Sequence, residues 1–346
     1  YLALSALFAV AFLLLDWATF APSYAPLGVT PWNPSIGLGL AVVLRLGLGY
    51  APVLAVAPLL SDLLIRDLPL SVGLSLIEAL VTGLGYVGAA AILLHSRWRI
   101  DTSLETVRDL VTLVVVTTLA ALFVAVCYIT VLLAFGHLST GRALTAVMRY
   151  WIGDIIGLLV LLPFLLKLSS RIPAFRATTE GLMQSAMELA RAHAQSLIVA
   201  SVAVVFGAST QLRLPLSYLL FLPIMWIAAR GGLIGVTGGL MLMQVAVMTA
   251  LHLTSDDPGN VFMYQALMVA LSICGLTIGV LVDERGRSER YLRLQQDAIA
   301  RAARIGTLGE VTTSLAHELN QPLTAAGNYA RAMLTAVSTG QSGNDA

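Results

Sequence analysis

Residues 110–135 read LVTLVVVTTLAALFVAVCYITVLLAF, without a single Asp, Glu, Lys, Arg or His. A helix needs about 20 apolar residues to cross the hydrocarbon core of a bilayer, and this stretch exceeds that length. It is one of ten hydrophobic stretches, which end near residues 19, 48, 66, 95, 135, 168, 211, 230, 253 and 283. Eight to ten of them are expected to be spans. The ambiguity lies between Gly37 and Arg66, where Gly47-Leu48-Gly49-Tyr50-Ala51-Pro52 suits either a tight turn between two spans or a bend in one broken helix.

Composition agrees with that reading. Of 346 residues, 58% are hydrophobic and 11% charged, with mean hydropathy +0.86, whereas soluble domains carry about 25% charged residues. The net charge is +1, Lys167 is the sole lysine, and there is no dense basic run. Nucleic-acid binding is thereby set aside. Cys127 and Cys274 lie in apolar stretches and read as small hydrophobic residues, with no metal or redox role. Tyr1 opens inside an apolar run and Ala346 closes a polar tail, so both ends are expected to be cuts in a longer protein.

Basic residues are retained on the cytoplasmic side of bacterial spans. With ten spans and both termini inside, the inner loops hold nine basic residues, among them Arg45, Arg97, Arg108, Lys167 and Arg230, against four outer ones, Arg66, Arg142, Arg149 and Arg213. This predicts a multi-pass protein of the bacterial inner membrane with a cytoplasmic C-terminus. The outer loops are too short for a folded ligand-binding domain. The inner connection from Ser169 to Gln195 suits either an amphipathic interfacial helix or a solvated linker.

Several positions inside the apolar body stand out. Glu78 is the most deeply placed carboxylate and serves either sensing or a structural hydrogen bond, because a lone charge in lipid is costly. Gly231, Gly235 and Gly239 recur every four residues and are expected to let a neighbouring helix approach. A faint internal echo relates Trp32-Asn33-Pro34, with its run ending Arg45-Leu46-Gly47, to Leu222-Pro223-Ile224, with its run ending Arg230-Gly231-Gly232. The alternatives are a parallel repeat or a shared use of proline and glycine at helix ends.

Two clusters, Trp32-Asn33-Pro34-Ser35-Ile36-Gly37 and Trp151-Ile152-Gly153-Asp154-Ile155-Ile156-Gly157, each read as an interfacial tryptophan anchor with a helix start. Together with the proline-containing eighth stretch and Gly275, they also resemble the membrane-associated sensor family (the MASE type) found ahead of histidine kinases and diguanylate cyclases. That resemblance covers residues 1–283 and implies that Trp32, Pro34, Trp151 and Asp154 belong to the family pattern. It supplies no ligand.

After Asp283 the composition turns charged and helix-favouring. Tyr291, Ala298, Ile305, Thr312 and Leu319 fall on one heptad position and Leu294, Leu308 and Leu315 on another, the pattern of a parallel dimer or of a helix packed on another surface. On this register His317 points outward. Residues 314–323, SLAHELNQPL, resemble the H-box of two-component sensor histidine kinases, in the subclass that includes oxygen and dicarboxylate sensors, and flanking residues 305–310 and 325–330 extend the likeness. The resemblance implies that His317 is the phosphoacceptor and Glu318 its assisting acid/base. Gln321 occupies the position that positions water for phosphatase activity in many relatives, where Thr or Asn is usual. Pro322 is expected to bend the helix.

The expected fold is all-α: a polytopic bundle of 8–10 transmembrane helices continuing into a cytoplasmic dimeric signalling helix. Residues 1–283 form the membrane sensor, 284–303 the connecting helix, and 304–346 the first helix of an incomplete dimerisation and phosphoacceptor domain. The family implies ATP and Mg2+ in a following domain, a homodimer, a cytoplasmic response regulator, and a membrane partner protein or small hydrophobic ligand as stimulus. A transporter-like protein with a coiled-coil tail is the rival. A cyclic-dinucleotide cyclase is disfavoured because the H-box stands where another output domain would begin.

Overall fold

The computed structural model describes residues 2–19, 32–65, 71–171, 216–254 and 258–341. Among these residues the chain is helical apart from short connections and has no strand. Its helices are α1 (Leu2–Thr19), α2 (Pro34–Leu46), α3 (Ala51–Leu64), α4 (Val72–Leu94), α5 (Val107–Ala134), α6 (Ala143–Arg171), α7 (Phe221–Thr254) and α8 (Pro258–Gln341). Five described helices are long and apolar enough to cross a membrane, and three shorter apolar helices accompany them. The protein is a multi-pass helical membrane protein. Most of the inner connection from Ser169 to Gln195, read as an interfacial helix or a linker, and the stretch ending near residue 211 lie outside the described residues.

The chain divides into two compact units, Tyr1–Arg285 and Gly286–Ala346. In the first, α6 packs against α2, α5 and α7, while α4 packs against α3 and α5. Fully buried side chains such as Leu40, Leu54, Tyr86, Leu113, Ile156 and Leu271 form its core. α5 starts as its sequence dictates: Thr106 caps it by accepting the Asp109 N–H at 3.2 Å, and donates its hydroxyl to the Asp109 carboxylate at 2.8 Å. The first bond satisfies one of the backbone donors a helix start leaves open, and the second holds the Thr106 hydroxyl in place for it.

The ambiguous segment around Gly47 is a turn. At 13 and 14 residues, α2 and α3 are about 20 Å long each, at 1.5 Å per residue. They fold back on one another: a Cβ placed on Gly39 would run into the Leu54 side chain and stand 3.6 Å from Phe8. Their far ends also meet the same part of α1, because the Ser35 hydroxyl donates to the Phe12 carbonyl at 3.2 Å and the Ser61 hydroxyl donates to Asp16. Gly47 makes the reversal possible, with φ 96° and ψ 169°, a conformation open essentially to glycine alone.

α7 is broken in the same way. Gly232 sits at φ 59°, ψ −153°, and the two arms double back, bringing Ile227 and Ile224 to within 3.2 and 3.7 Å of where a Cβ on Gly239 would lie. The eighth and ninth apolar stretches of the sequence are these two arms. This corrects the reading of the glycine triplet: the break separates Gly231 from Gly235 and Gly239, and Gly231 is exposed with nothing within 4 Å of its missing Cβ. Only the part of the pattern beyond the break shares a helix, and there Gly239 does meet a neighbour.

The second unit is the remainder of α8. It is one continuous helix that runs through Pro322 to Gln341. Tyr291, Leu294, Ile305, Leu315 and Leu319 are all exposed on it.

Candidate functional site

The two tryptophan clusters, 121 residues apart at their closest hydrogen bond, pack against each other. The Asn33 N–H donates to the Gly153 carbonyl at 3.1 Å, and the Asn33 side-chain amide donates to Asp154 Oδ1 at 2.9 Å. The backbones cross at Gly37 and Gly157: a Cβ on Gly37 would lie 2.5 Å from the Gly157 carbonyl oxygen. Small residues allow that approach, which is how helices pack without a hydrophobic drive between them. Pro34 opens α2, where no N–H is needed, and Asn33, at the cap position, directs its side chain to Asp154 instead of the helix end.

Asp154 is 2% exposed. Its Oδ2 accepts the Tyr86 hydroxyl from α4 at 2.5 Å, so three elements converge on one carboxyl group. A hydrogen bond to a charged group contributes about 1.5–3 kcal/mol, enough to hold such a group inside a membrane body only when several are made. Trp32 is buried at 4% exposure, with no partner for its indole N–H among the described residues. The interfacial-anchor reading therefore fails for Trp32, because the α2–α6 contact draws it into the core. Trp151 is half-buried and donates to the Thr118 carbonyl of α5 at 3.1 Å, fastening α6 to α5.

Glu78 lies on the same face of α4 as Ser75, Thr82 and Tyr86, at helical spacing, and all four are buried. Tyr150 is within electrostatic range of both Asp154 and Glu78, and its ring centroid is 5.0 Å from that of Tyr128. The structure thus brings Asp154 and Glu78 within range of one tyrosine, Tyr150, and sets Pro34 beside Gly157, while Trp32 lies in the apolar core. Sequence reasoning overlooked Tyr86, Tyr150 and the side chain of Asn33. The i, i+3, i+7, i+11 spacing from Ser75 to Tyr86 was the available signal.

A second polar group gathers around Asp283 and Glu284 of α8. Lys167 of α6 donates to the Ser103 carbonyl at 2.9 Å and stands 3.8 Å from Asp283 of α8. Asp283 Oδ2 accepts the Leu233 N–H at 3.2 Å, just past the Gly232 break. Glu284 accepts the Val107 N–H at 3.3 Å, and Arg45 donates to Ser169 Oγ and the Leu166 carbonyl at 2.8 and 3.0 Å. In the connecting segment, the Ser103 N–H holds the Asp101 carboxyl below its ordinary value; partial burial opposes this, and the Ser103 hydroxyl, Arg45 and Lys167 assist it.

His317, Glu318, Gln321 and Pro322 are exposed on α8. Pro322 does not end the helix. Among the described residues, no group of three His, Cys, Asp or Glu side chains is placed to hold a metal ion.

Buried carboxyl groups hydrogen-bonded across a bundle of short and broken apolar helices mark a multi-pass α-helical membrane body. Residues 1–286 match the MASE1 family model, and the chain belongs to this family of membrane sensor domains. It is also similar over short segments to sensor proteins. It is 44% identical over 55 residues to the C4-dicarboxylate transport sensor protein DctS of Rhodobacter capsulatus, covering 15% of this chain and 8% of that protein. It is 42% identical over 62 residues to the phosphoglycerate transport system sensor protein PgtB of Salmonella typhimurium, 18% of this chain and 9% of the relative. A third similarity, 43% over 49 residues, is to the C4-dicarboxylate transport sensor protein DctB of Pseudomonas aeruginosa, 14% and 8% of the two chains. The matched part is thus under a tenth of each relative's length. No solved structure matches the chain.

Proposed function

We propose that this chain is the sensing part of a histidine kinase of a two-component system, seated in the bacterial inner membrane with its C-terminus in the cytoplasm. The observation that carries the reading is α8: a single helix starts at Pro258 within the MASE1 match and, after residue 286 in sequence, carries the exposed pair His317–Glu318. The partial similarity to sensor proteins supports the same assignment.

In this reading residues 284–303 connect the sensor to the phosphoacceptor helix that begins near residue 304. A ring nitrogen of His317 attacks the γ-phosphorus of ATP, the bond to the β,γ-bridging oxygen breaks, and ADP leaves. Glu318 orients the imidazole and accepts its proton. ATP and Mg2+ belong to a domain beyond residue 346. The phosphoryl group then passes to an aspartate of a cytoplasmic response regulator. The exposed row Tyr291, Leu294, Ile305, Leu315 and Leu319 is the seam of a homodimer. Gln321 stands at the phosphatase position, with the amide of the usual Asn on a side chain one methylene longer.

The test is phosphate incorporation from labelled ATP into the longer protein carrying its ATP-binding domain. His317→Gln is expected to abolish it, and labelling that survives this substitution refutes the assignment. The paired hairpins at Gly47 and Gly232 are the feature a transporter-like reading would use. Solute uptake into vesicles that persists after deletion of residues 283–346 would favour that rival.

A further inference from the structure

α4 and α5 are packed tightly where Gly85 faces Val124 and Phe123. Nearer the end where α4 stops and α5 begins, they flank an open groove of about 950 Å3. Ala89, Ala91, Ile92, Val115, Leu119 and Ala120 line it, and its surface is almost wholly apolar. His95 and Trp98 also line it, just past Leu94, the last residue of α4.

The chemistry at that end is cationic. Arg97 and Arg99 flank Trp98, and Arg108 lies three and four positions before Val111 and Thr112, on the groove face of α5. All three arginines are exposed, and their guanidinium groups make no hydrogen bond or ion pair among the described residues. The nearby acids are engaged or few: Asp101 accepts the Ser103 N–H, Asp109 is tied to Thr106, and Glu105 shares the segment. An apolar cleft between membrane helices, a tryptophan at its mouth and unneutralised arginines at the head-group level together match an acidic amphiphile.

The geometry points to a binding site for one anionic phospholipid of the surrounding bilayer, with an acyl chain in the α4–α5 groove and the phosphate at Arg97, Arg99 and Arg108. The connecting segment is bonded to Lys167 through Ser103, and Val107, which opens α5, is bonded to Glu284, so a lipid held there bears on α8 at Glu284. That consequence rests on the kinase reading; the binding does not.

The experiment is native mass spectrometry of the purified full chain, equilibrated with phosphatidylglycerol or with phosphatidylcholine of identical acyl chains. Wild type is expected to retain phosphatidylglycerol at one per chain and to release phosphatidylcholine. Replacing the three arginines by glutamine should lower retention about fivefold per charge removed. Ala91→Phe, an exposed position that fills the groove, should lower it with all three arginines in place, while circular dichroism shows unchanged helicity. Equal retention of the two lipids overturns the site. So does phosphatidylglycerol retention that ignores Ala91→Phe, which would mean attraction to surface charge alone. No phosphorylation is read, so failure here leaves the kinase assignment standing, and failure of that assignment leaves lipid retention unchanged.

Discussion

At Gly47 and at Gly232 a helix ends in Arg, one residue, Gly, and the chain doubles back through a backbone conformation reserved for glycine. The surroundings differ. Nothing lies within 4 Å of where a Cβ on Gly47 would be, while a Cβ on Gly232 would run into the Asp283 carboxylate. α8 also closes on the second turn: a Cβ on Gly279 would stand 3.0 Å from Leu233 Cα and 3.1 Å from the Gly232 carbonyl oxygen. One hairpin reverses the chain, and the other also seats α8 at Gly279 and Asp283. The same local device acquires a second role only through what packs on it.

The largest expected effect separates the two turns. Gly232→Ala combines backbone strain with a collision against Asp283 and should cost about 4 kcal/mol. Gly47→Ala incurs strain alone, about 1–3 kcal/mol. Thermal unfolding of the two variants in detergent compares them directly, and equal losses would end the distinction between the hairpins.

Next in size is Lys167→Met, which keeps the side-chain length but removes the bonds to the Ser103 carbonyl and the charge beside Asp283. A loss of about 1–2 kcal/mol is expected. Combined with Gly232→Ala the losses should be non-additive, since both variants act on Asp283, and combined with Gly47→Ala they should add. Additivity in both combinations would mean that the Gly232 turn and Lys167 do not share a site.

The smallest effect is a pH dependence in the segment between α4 and α5. The Asp101 carboxyl is held below its ordinary value of 3.8. Its contribution to stability is therefore fully present above that value and is lost as pH falls through the lower folded-state value. Asp101 is exposed, so the change should be slight. Melting temperatures of wild type and Asp101→Asn between pH 3 and 6 should converge at the acid end; a gap that widens on acidification contradicts the assignment.

Apolar length carried most of the fold. Stretches such as 110–135 have one stable form in a bilayer, because every backbone polar group must be bonded internally. The junction near Asp283 was equally legible, since composition changes there abruptly. The buried polar contacts were legible only in fragments. Glu78, Trp32, Pro34 and Asp154 stand out as costly or conspicuous residues in apolar runs, but Tyr86 does not, because a tyrosine in a span is unremarkable until its hydroxyl finds Asp154 at 2.5 Å. The glycine triplet misled for a related reason. Four-residue spacing signifies a shared face only in an unbroken helix, and Gly232 breaks this one.

By itself, then, the sequence determined that this is a helical membrane protein, with paired tryptophan motifs and a charged helix bearing a histidine. Those properties follow from hydrophobic length and local helical preference, which act residue by residue. Only the tertiary structure decided that the two motifs face each other across Gly37 and Gly157, that Trp32 is core, and that Asp283 sits between Lys167 and the Gly232 turn. Each of these joins residues far apart in the chain, and the cost of burying a carboxyl or bending a backbone is offset by partners that sequence spacing does not specify.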